Sequence, residues 1–222
     1  MLSRKTVASF AVGLMLFVGA VNAKAGSTDL ATNPLDQISN FAAQARAAGG
    51  SAPSTASLAT APLAKFSANG RINETIGAGG CLNNPLTATC TSSNCDFLTM
   101  SGQVNATGIG KSNLDACFTL ILSSFSGLCY NGLGIGSLTA ANGNKVNIAF
   151  GGNFCLADET LSTITLFYNS NWSYVVEGGT GPFATETGNG NITASTIIVN
   201  PPSSLPYSAT GQFTMTGGLS KN

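Results

Sequence analysis

The chain has 222 residues, 43 % of them hydrophobic, with nine basic and nine acidic side chains that cancel to a formal charge of zero, and no histidine. Charged residues make up only 8 %, against roughly 25 % in ordinary soluble proteins, so polarity rests on Ser, Thr, Asn and Gly, which suits an exported β protein better than a cytosolic enzyme. The missing histidine excludes Ser-His-Asp and Cys-His machinery and every His-containing zinc site, and the lack of clustered Lys and Arg argues against nucleic acid and anionic membranes as partners.

Arg4 and Lys5, followed by the apolar run Val7–Val21, predict a signal peptide: the run is too short for a comfortable membrane span. Two small-x-small sites follow, Val21-Asn22-Ala23 and Ala23-Lys24-Ala25, and cleavage is expected after Ala25. Loss of Arg4, Lys5 and Lys24 then takes the net charge to −3. No later apolar stretch is long enough to cross a bilayer, and no cysteine stands directly after either cleavage site to carry a lipid. The expectation is a secreted, periplasmic or cell-surface protein without an integral membrane span.

Residues 26–64 read as a linker containing one short helix. Asn33 suits the cap, Pro34 the first helical position and Asp36 the first turn. Leu35, Ile38, Phe41, Ala42 and Ala45 recur at helical spacing until Gly49-Gly50 stop the run. Ser51–Pro62, rich in Ala, Ser, Thr and Pro, reads as a tether.

From Lys65 the period changes to two. Phe66, Ala68, Gly70, Ile72 and Ile76 share one face; Leu98, Met100, Gly102, Val104 and Ala106 share another. Phe118, Leu120 and Leu122, then Val146, Ile148 and Phe150, then Trp172, Tyr174 and Val176 continue the pattern, and Tyr207, Ala209, Gly211, Phe213 and Met215 end it. Alternation means one buried and one wet face. Asn142-Gly143 signals a type I′ hairpin, Asn169-Ser170-Asn171 marks a turn between Leu161–Tyr168 and Trp172–Glu177, and Pro201-Pro202 breaks the chain before the last strand. Eight or nine strands joined by short turns predict an all-β domain over 65–222, an antiparallel barrel of about eight strands or a sandwich.

Six cysteines, Cys81, Cys90, Cys95, Cys117, Cys129 and Cys155, fit up to three disulfides in an oxidising compartment. A hairpin turning near Ser123–Gly127 would bring Cys117 opposite Cys129; Cys81 would pair with Cys90 or Cys95, and Cys155 with the one left. The absence of C-x-x-C argues against metal, and no cofactor is implied. Gly132, Gly134 and Gly136 share one strand face; with no helix after them they do not cradle phosphate, and they let the strand coil or an aromatic ring lie across it.

Gly178-Gly179-Thr180-Gly181-Pro182-Phe183-Ala184-Thr185-Glu186-Thr187-Gly188 resembles the GGTG-x-F-x-x-x-x-G element of dirigent and allene oxide cyclase-like barrels, including uncharacterised bacterial secreted relatives. The Ala140-Ala141-Asn142-Gly143 hairpin and the Gly211-Gln212-Phe213-Thr214 strand are similar to the same group, over roughly 97–219. The resemblance implies an eight-stranded barrel with an apolar lumen, in a group some of whose members cyclise an oxylipin or orient phenoxy-radical coupling. Pro182 stands where the family is often basic, and the six cysteines and the tether are foreign to its plant enzymes, so the fold carries over and the reaction does not.

Glu74 shares strand parity with Phe66, Ile72 and Ile76, which points it toward the apolar side as a catalytic candidate with a raised pKa. Trp172, Tyr174, Phe183, Tyr207 and Phe213 are candidates for lining a ligand cavity, and Gly178, Gly179, Thr180 and Gly181 for a structural loop in which Glu186 caps backbone amides. Asp158 and Glu159 read as a solvated loop. The leading expectation is a non-catalytic exported barrel that binds a small apolar ligand or serves in the envelope or matrix. The alternatives are a cyclase-like or coupling-directing enzyme using Glu74, and an adhesive or assembly module, possible as a homo-oligomer, that docks through helix 34–48.

Overall fold

The computed structural model describes residues 63–77, 95–126, 129–159, 163–199 and 206–220; the expected signal peptide, helix and tether lie outside them. Eight antiparallel strands, β1 (Ala64–Ile76), β2 (Cys95–Ala106), β3 (Gly110–Ser126), β4 (Cys129–Ala140), β5 (Lys145–Glu159), β6 (Thr163–Gly179), β7 (Thr187–Val199) and β8 (Tyr207–Leu219), pair in chain order. β8 returns to pair with β1 from Ala64↔Leu219 to Ile76↔Tyr207, which closes the barrel. Closure removes every sheet edge, so the alternation predicted from the sequence resolves into one interior and one outer face.

At one end β1, β3, β5 and β7 finish while β2, β4, β6 and β8 begin. Cys95, Cys129 and Cys155 stand near this end, and it is termed the cysteine end below. The opposite end carries the connections Thr107–Ile109, Ala141–Asn144 and Thr180–Glu186 and the finish of β8.

Several local expectations need correction. Residues 169–171 are not a turn between two strands. β6 runs through them, and the irregularity is absorbed as a bulge: Tyr168 faces Ala194 and Trp172 faces Ile192, so four steps of β6 match two of β7. Asp158 and Glu159 belong to β5, opposite Thr165 and Ile164, and not to a loop. The Asn142-Gly143 hairpin has three loop residues instead of two. Gly143 N–H donates to Ala140 O and Ala140 N–H to Asn144 O, with Gly143 alone supplying the left-handed step at φ 85°, the pattern of a type I turn with a G1 bulge.

The expected pairing of Cys117 with Cys129, and of Cys155 with a cysteine from the 81–95 segment, is also overturned: Cys129 is bonded to Cys155. The hairpin between β3 and β4 closes at Ser126↔Cys129, later than anticipated, which leaves Cys117 opposite Ile135. Register on the other side sets Cys129 directly against Cys155, with Cα atoms 4.0 Å apart. Cys95 and Cys117 are each disulfide-bonded as well, to partners outside the described residues.

An eight-stranded barrel is just wide enough for its own side chains to fill. Large rings fill this one where glycines leave room. A Cβ at Gly134 would lie 2.5 Å from Phe118 Cβ and 2.6 Å from Phe150 Cζ. Over that floor Phe118, Phe150 and Trp172 meet with centroids 5.5–6.0 Å apart, and Phe154 joins Phe118 at 6.3 Å. Thus the glycines of β4 do let aromatics lie across the strand. Tyr174 repeats the device on the other wall: its ring covers Gly190, its hydroxyl lies over Gly217, and it meets Phe66 edge-on at 6.4 Å.

Candidate functional site: the carboxyl and phenol groups of the cysteine end

Glu74 lies on the interior face of β1, one inward position from its end, and is 1 % exposed. Its neighbours across the sheet are Met100 on β2 and Ala209 on β8. Beyond β8, Thr196 on β7 pairs with Gly211. Because Ala209 and Gly211 put almost no side chain into the interior, Glu74 reaches past β8, and Thr196 Oγ1 donates to its Oε2 at 2.8 Å. Its other oxygen, Oε1, is buried and has no hydrogen-bond partner. Burial pushes the carboxyl from its ordinary 4.5 up to about 8, outweighing the Thr196 bond, which lowers it. Near neutrality the group is therefore protonated, with one oxygen committed to Thr196 and the other facing the apolar interior.

A second acid stands nearer the mouth. Asp96 on β2 is two inward-facing positions beyond Met100, at the level of Leu120 on β3, and is half-buried. Burial raises its pKa, opposed by the Phe97 backbone N–H that donates to its Oδ1 at 2.8 Å. Tyr130, at the start of β4, and Tyr207, at the start of β8, lie on either side. Burial raises both phenols and the negative charge of Asp96 raises them further, so Asp96 is in electrostatic reach of both. The lysines and arginine of the described strands, Lys65, Arg71, Lys111 and Lys145, are all exposed. The cysteine end of the interior thus gathers two carboxyls, two phenols and a threonine hydroxyl among Ile76, Leu98, Leu120 and Ile198, with no described basic group among them.

The five aromatics proposed from the sequence do not converge on one cavity. Trp172 is fully buried in the central cluster, with its indole Nε1–H donated to Asn153 O. Phe213 is core as well, between Gly70 and Ala194 of the neighbouring strands. Tyr174 lies toward the far end; its hydroxyl has no partner and burial takes it to about 12. Phe183 sits in the 3₁₀ turn Gly181–Phe183 at that end, partly buried against the core. Of the five, Tyr207 alone belongs to the cysteine end. Sequence reasoning missed Asp96, Tyr130 and Thr196. The signal for the first two was strand parity: Asp96 alternates with Leu98 and Met100, and Tyr130 with Gly132 and Gly134. Thr196 carried no such signal, because its contact with Glu74 spans 122 residues and a whole intervening strand.

The Gly178–Gly181 segment is structural. Thr180 N–H donates to Lys145 O and Lys145 N–H to Thr180 Oγ1, each at 2.9 Å, which pins the β6–β7 connection on the β4–β5 hairpin. A Cβ at Gly179 would fall 1.8 Å from Lys145 O. Glu186 is buried, but it accepts from Ser220 Oγ at 3.1 Å, where backbone amides had been expected, and Ser220 Oγ accepts from Thr187 N–H at 2.8 Å. This end is thereby tied to the finish of β8.

Two recesses of about 340 and 420 Å³ lie on the outer face of β1–β4, lined by Gln103, Asn105, Asn113 and Thr139, and by Arg71, Asn73, Ser101 and Asp115. They are shallow and polar, and no side chain within them is both buried and unpaired. Among the described residues no three acidic or cysteine side chains gather as metal ligands, and no helix is long and apolar enough to cross a membrane. No family model and no curated protein sequence matches the chain.

Proposed function

We propose that this is an exported, non-catalytic barrel that receives a small, largely apolar molecule at the cysteine end of its interior and holds it through Glu74. The observation that carries this reading is the unpaired Glu74 Oε1, a strong hydrogen-bonding atom fully buried among aliphatic side chains. Leaving such a group unmatched costs about 1–3 kcal/mol, and a ligand hydroxyl or amine would recover it. Eight-stranded barrels are of the size that takes one small ligand, and the GGTG resemblance implies an apolar lumen of the same kind. The Cys129–Cys155 bridge is compatible with an oxidising, extracellular or periplasmic location. Native mass spectrometry of the protein isolated from its own source tests the reading. A small non-covalent adduct that is lost in Glu74→Leu supports it; bare polypeptide mass, together with no uptake of decanol in solution, overturns it.

One observation favours a second reading. A carboxyl held protonated near neutrality, with a free oxygen buried among apolar side chains, is poised to transfer a proton, as a cyclase-like or coupling-directing barrel requires. Chemical conversion of the co-purified molecule by wild type, abolished in a folded Glu74→Gln variant, selects it over simple binding.

A further inference from the structure

The polar groups of the cysteine end also indicate what kind of molecule suits them. An anionic head group, such as a carboxylate or phosphate, would meet the like charge of Asp96, while the described cations Lys65, Arg71, Lys111 and Lys145 all face solvent. A neutral head group would satisfy Glu74 but leave the Asp96 charge half-buried between two phenols. A cationic head group answers both. Carboxylate is its charge partner, and the faces of tyrosine rings attract ammonium through their quadrupole.

We propose that the ligand is an amphiphilic organic cation, a protonated amine with an apolar body, whose ammonium group is held at the mouth by Asp96 between Tyr130 and Tyr207 while its body extends toward Glu74. The inference rests on the binding reading above and adds the charge and direction of the ligand. Asp96 stands at the start of β2, two inward positions beyond the level of Glu74. Asp96 is half-buried and Glu74 is 1 % exposed, so the head is the part nearer to water and the body lies on the Glu74 side of it. Glu74 Oε1, at depth, is available to a hydroxyl or second amine on that body.

Isothermal titration at pH 6.5 with decylammonium, decanol and decanoate, each below its micelle concentration, separates head-group charge from the tail they share. Decylammonium is expected to bind at least tenfold more tightly than decanol, a ratio that corresponds to ~1.4 kcal/mol, and decanoate more weakly than either. In Asp96→Asn the ammonium preference is expected to fall to within threefold of decanol, with decanol itself unchanged. Equal binding of all three by wild type, or an ammonium preference untouched by Asp96→Asn, overturns the charge assignment and leaves interior binding standing. Failure of all three to bind removes the binding reading itself. The three-probe comparison on wild type stands even if Asp96→Asn does not fold.

Discussion

Glu74 makes a pH-dependent prediction that does not require knowledge of any ligand. Its folded pKa is about 8 against an ordinary 4.5. Between those values the unfolded carboxyl is ionised while the folded one keeps its proton. The native state then binds more protons than the unfolded state, so stability falls as pH rises. Below the lower value and above the upper one the contribution is flat. Over that interval, at ~1.36 kcal/mol per pH unit, the loss integrates to ~5 kcal/mol, a large share of the roughly 5–15 kcal/mol that holds a domain together. Glu74→Gln isolates this effect, since glutamine has the same length, can still accept from Thr196 and does not titrate. Urea unfolding at intervals from pH 5 to pH 8.5 is the assay. Wild type and variant should agree within about 1 kcal/mol at pH 5 and diverge steadily, until the variant is the more stable by about 4–5 kcal/mol at pH 8.5. Parallel profiles would refute the reasoning, for they would mean that Glu74 titrates alike in both states and is not held neutral by burial.

Other expectations are simpler to score. Peptide mapping under non-reducing conditions should recover Cys129 linked to Cys155, and replacing both with serine should cost about 3 kcal/mol, given the 26-residue separation; a Cys117–Cys129 peptide would contradict the β3–β4 register. Gly134→Ala should lower stability by about 2–3 kcal/mol, because its Cβ collides with Phe118 and Phe150, whereas Gly143→Ala, with open space around it and only its φ to strain, should cost about 1 kcal/mol; equal effects in denaturant unfolding would argue against rings lying across β4. Tyr174→Phe should leave thermal stability unchanged or raise it by up to about 2 kcal/mol, because the hydroxyl it removes is buried without a partner, and a clear loss would reveal a bond to that oxygen.

Most of the barrel was legible because its signal is local. Alternation over a dozen residues fixes which face of a strand is buried, and parity alone placed Phe66, Ile72, Glu74, Trp172, Tyr174 and Phe213 inside, as found. What failed depended on register between strands. A one-sided look at Asn169-Ser170-Asn171 reads as a turn, and only pairing with β7 shows that the extra residues are absorbed within a continuous strand. The Cys117–Cys129 expectation failed in the same way: the turn closes at Ser126 and Cys129, and that offset carries Cys117 away from its supposed partner. The site was half legible. Glu74 was found by parity, but its partner Thr196 was not, since the reach depends on Ala209 and Gly211 being small on a strand more than 130 residues away. Phe183 was misplaced for a different reason: it lies on a connection, where period-two reasoning does not apply.

Among the described residues two buried polar atoms stand unpaired, toward opposite ends of the barrel, Glu74 Oε1 and Tyr174 Oη, and they are not equivalent. Tyr174 is neutral at and well above neutral pH, and its ring does structural work over Gly190 whether or not its hydroxyl is matched. It lies, moreover, toward the end that Thr180, Glu186 and Ser220 tie together by hydrogen bonds. Glu74 has no such justification from packing. Methionine or leucine would fill the space between Met100 and Ala209 without the proton linkage worked out above, and the chain, with only 8 % charged residues, is otherwise sparing with charge. A group that breaks the local rule at a cost of several kcal/mol above neutrality is where function is to be sought. Its end of the barrel is also where Asp96, Tyr130 and Tyr207 supply the remaining interior polarity. Cost, position and company all set the two atoms apart, and they are why the proposed binding site is put at the cysteine end rather than at Tyr174.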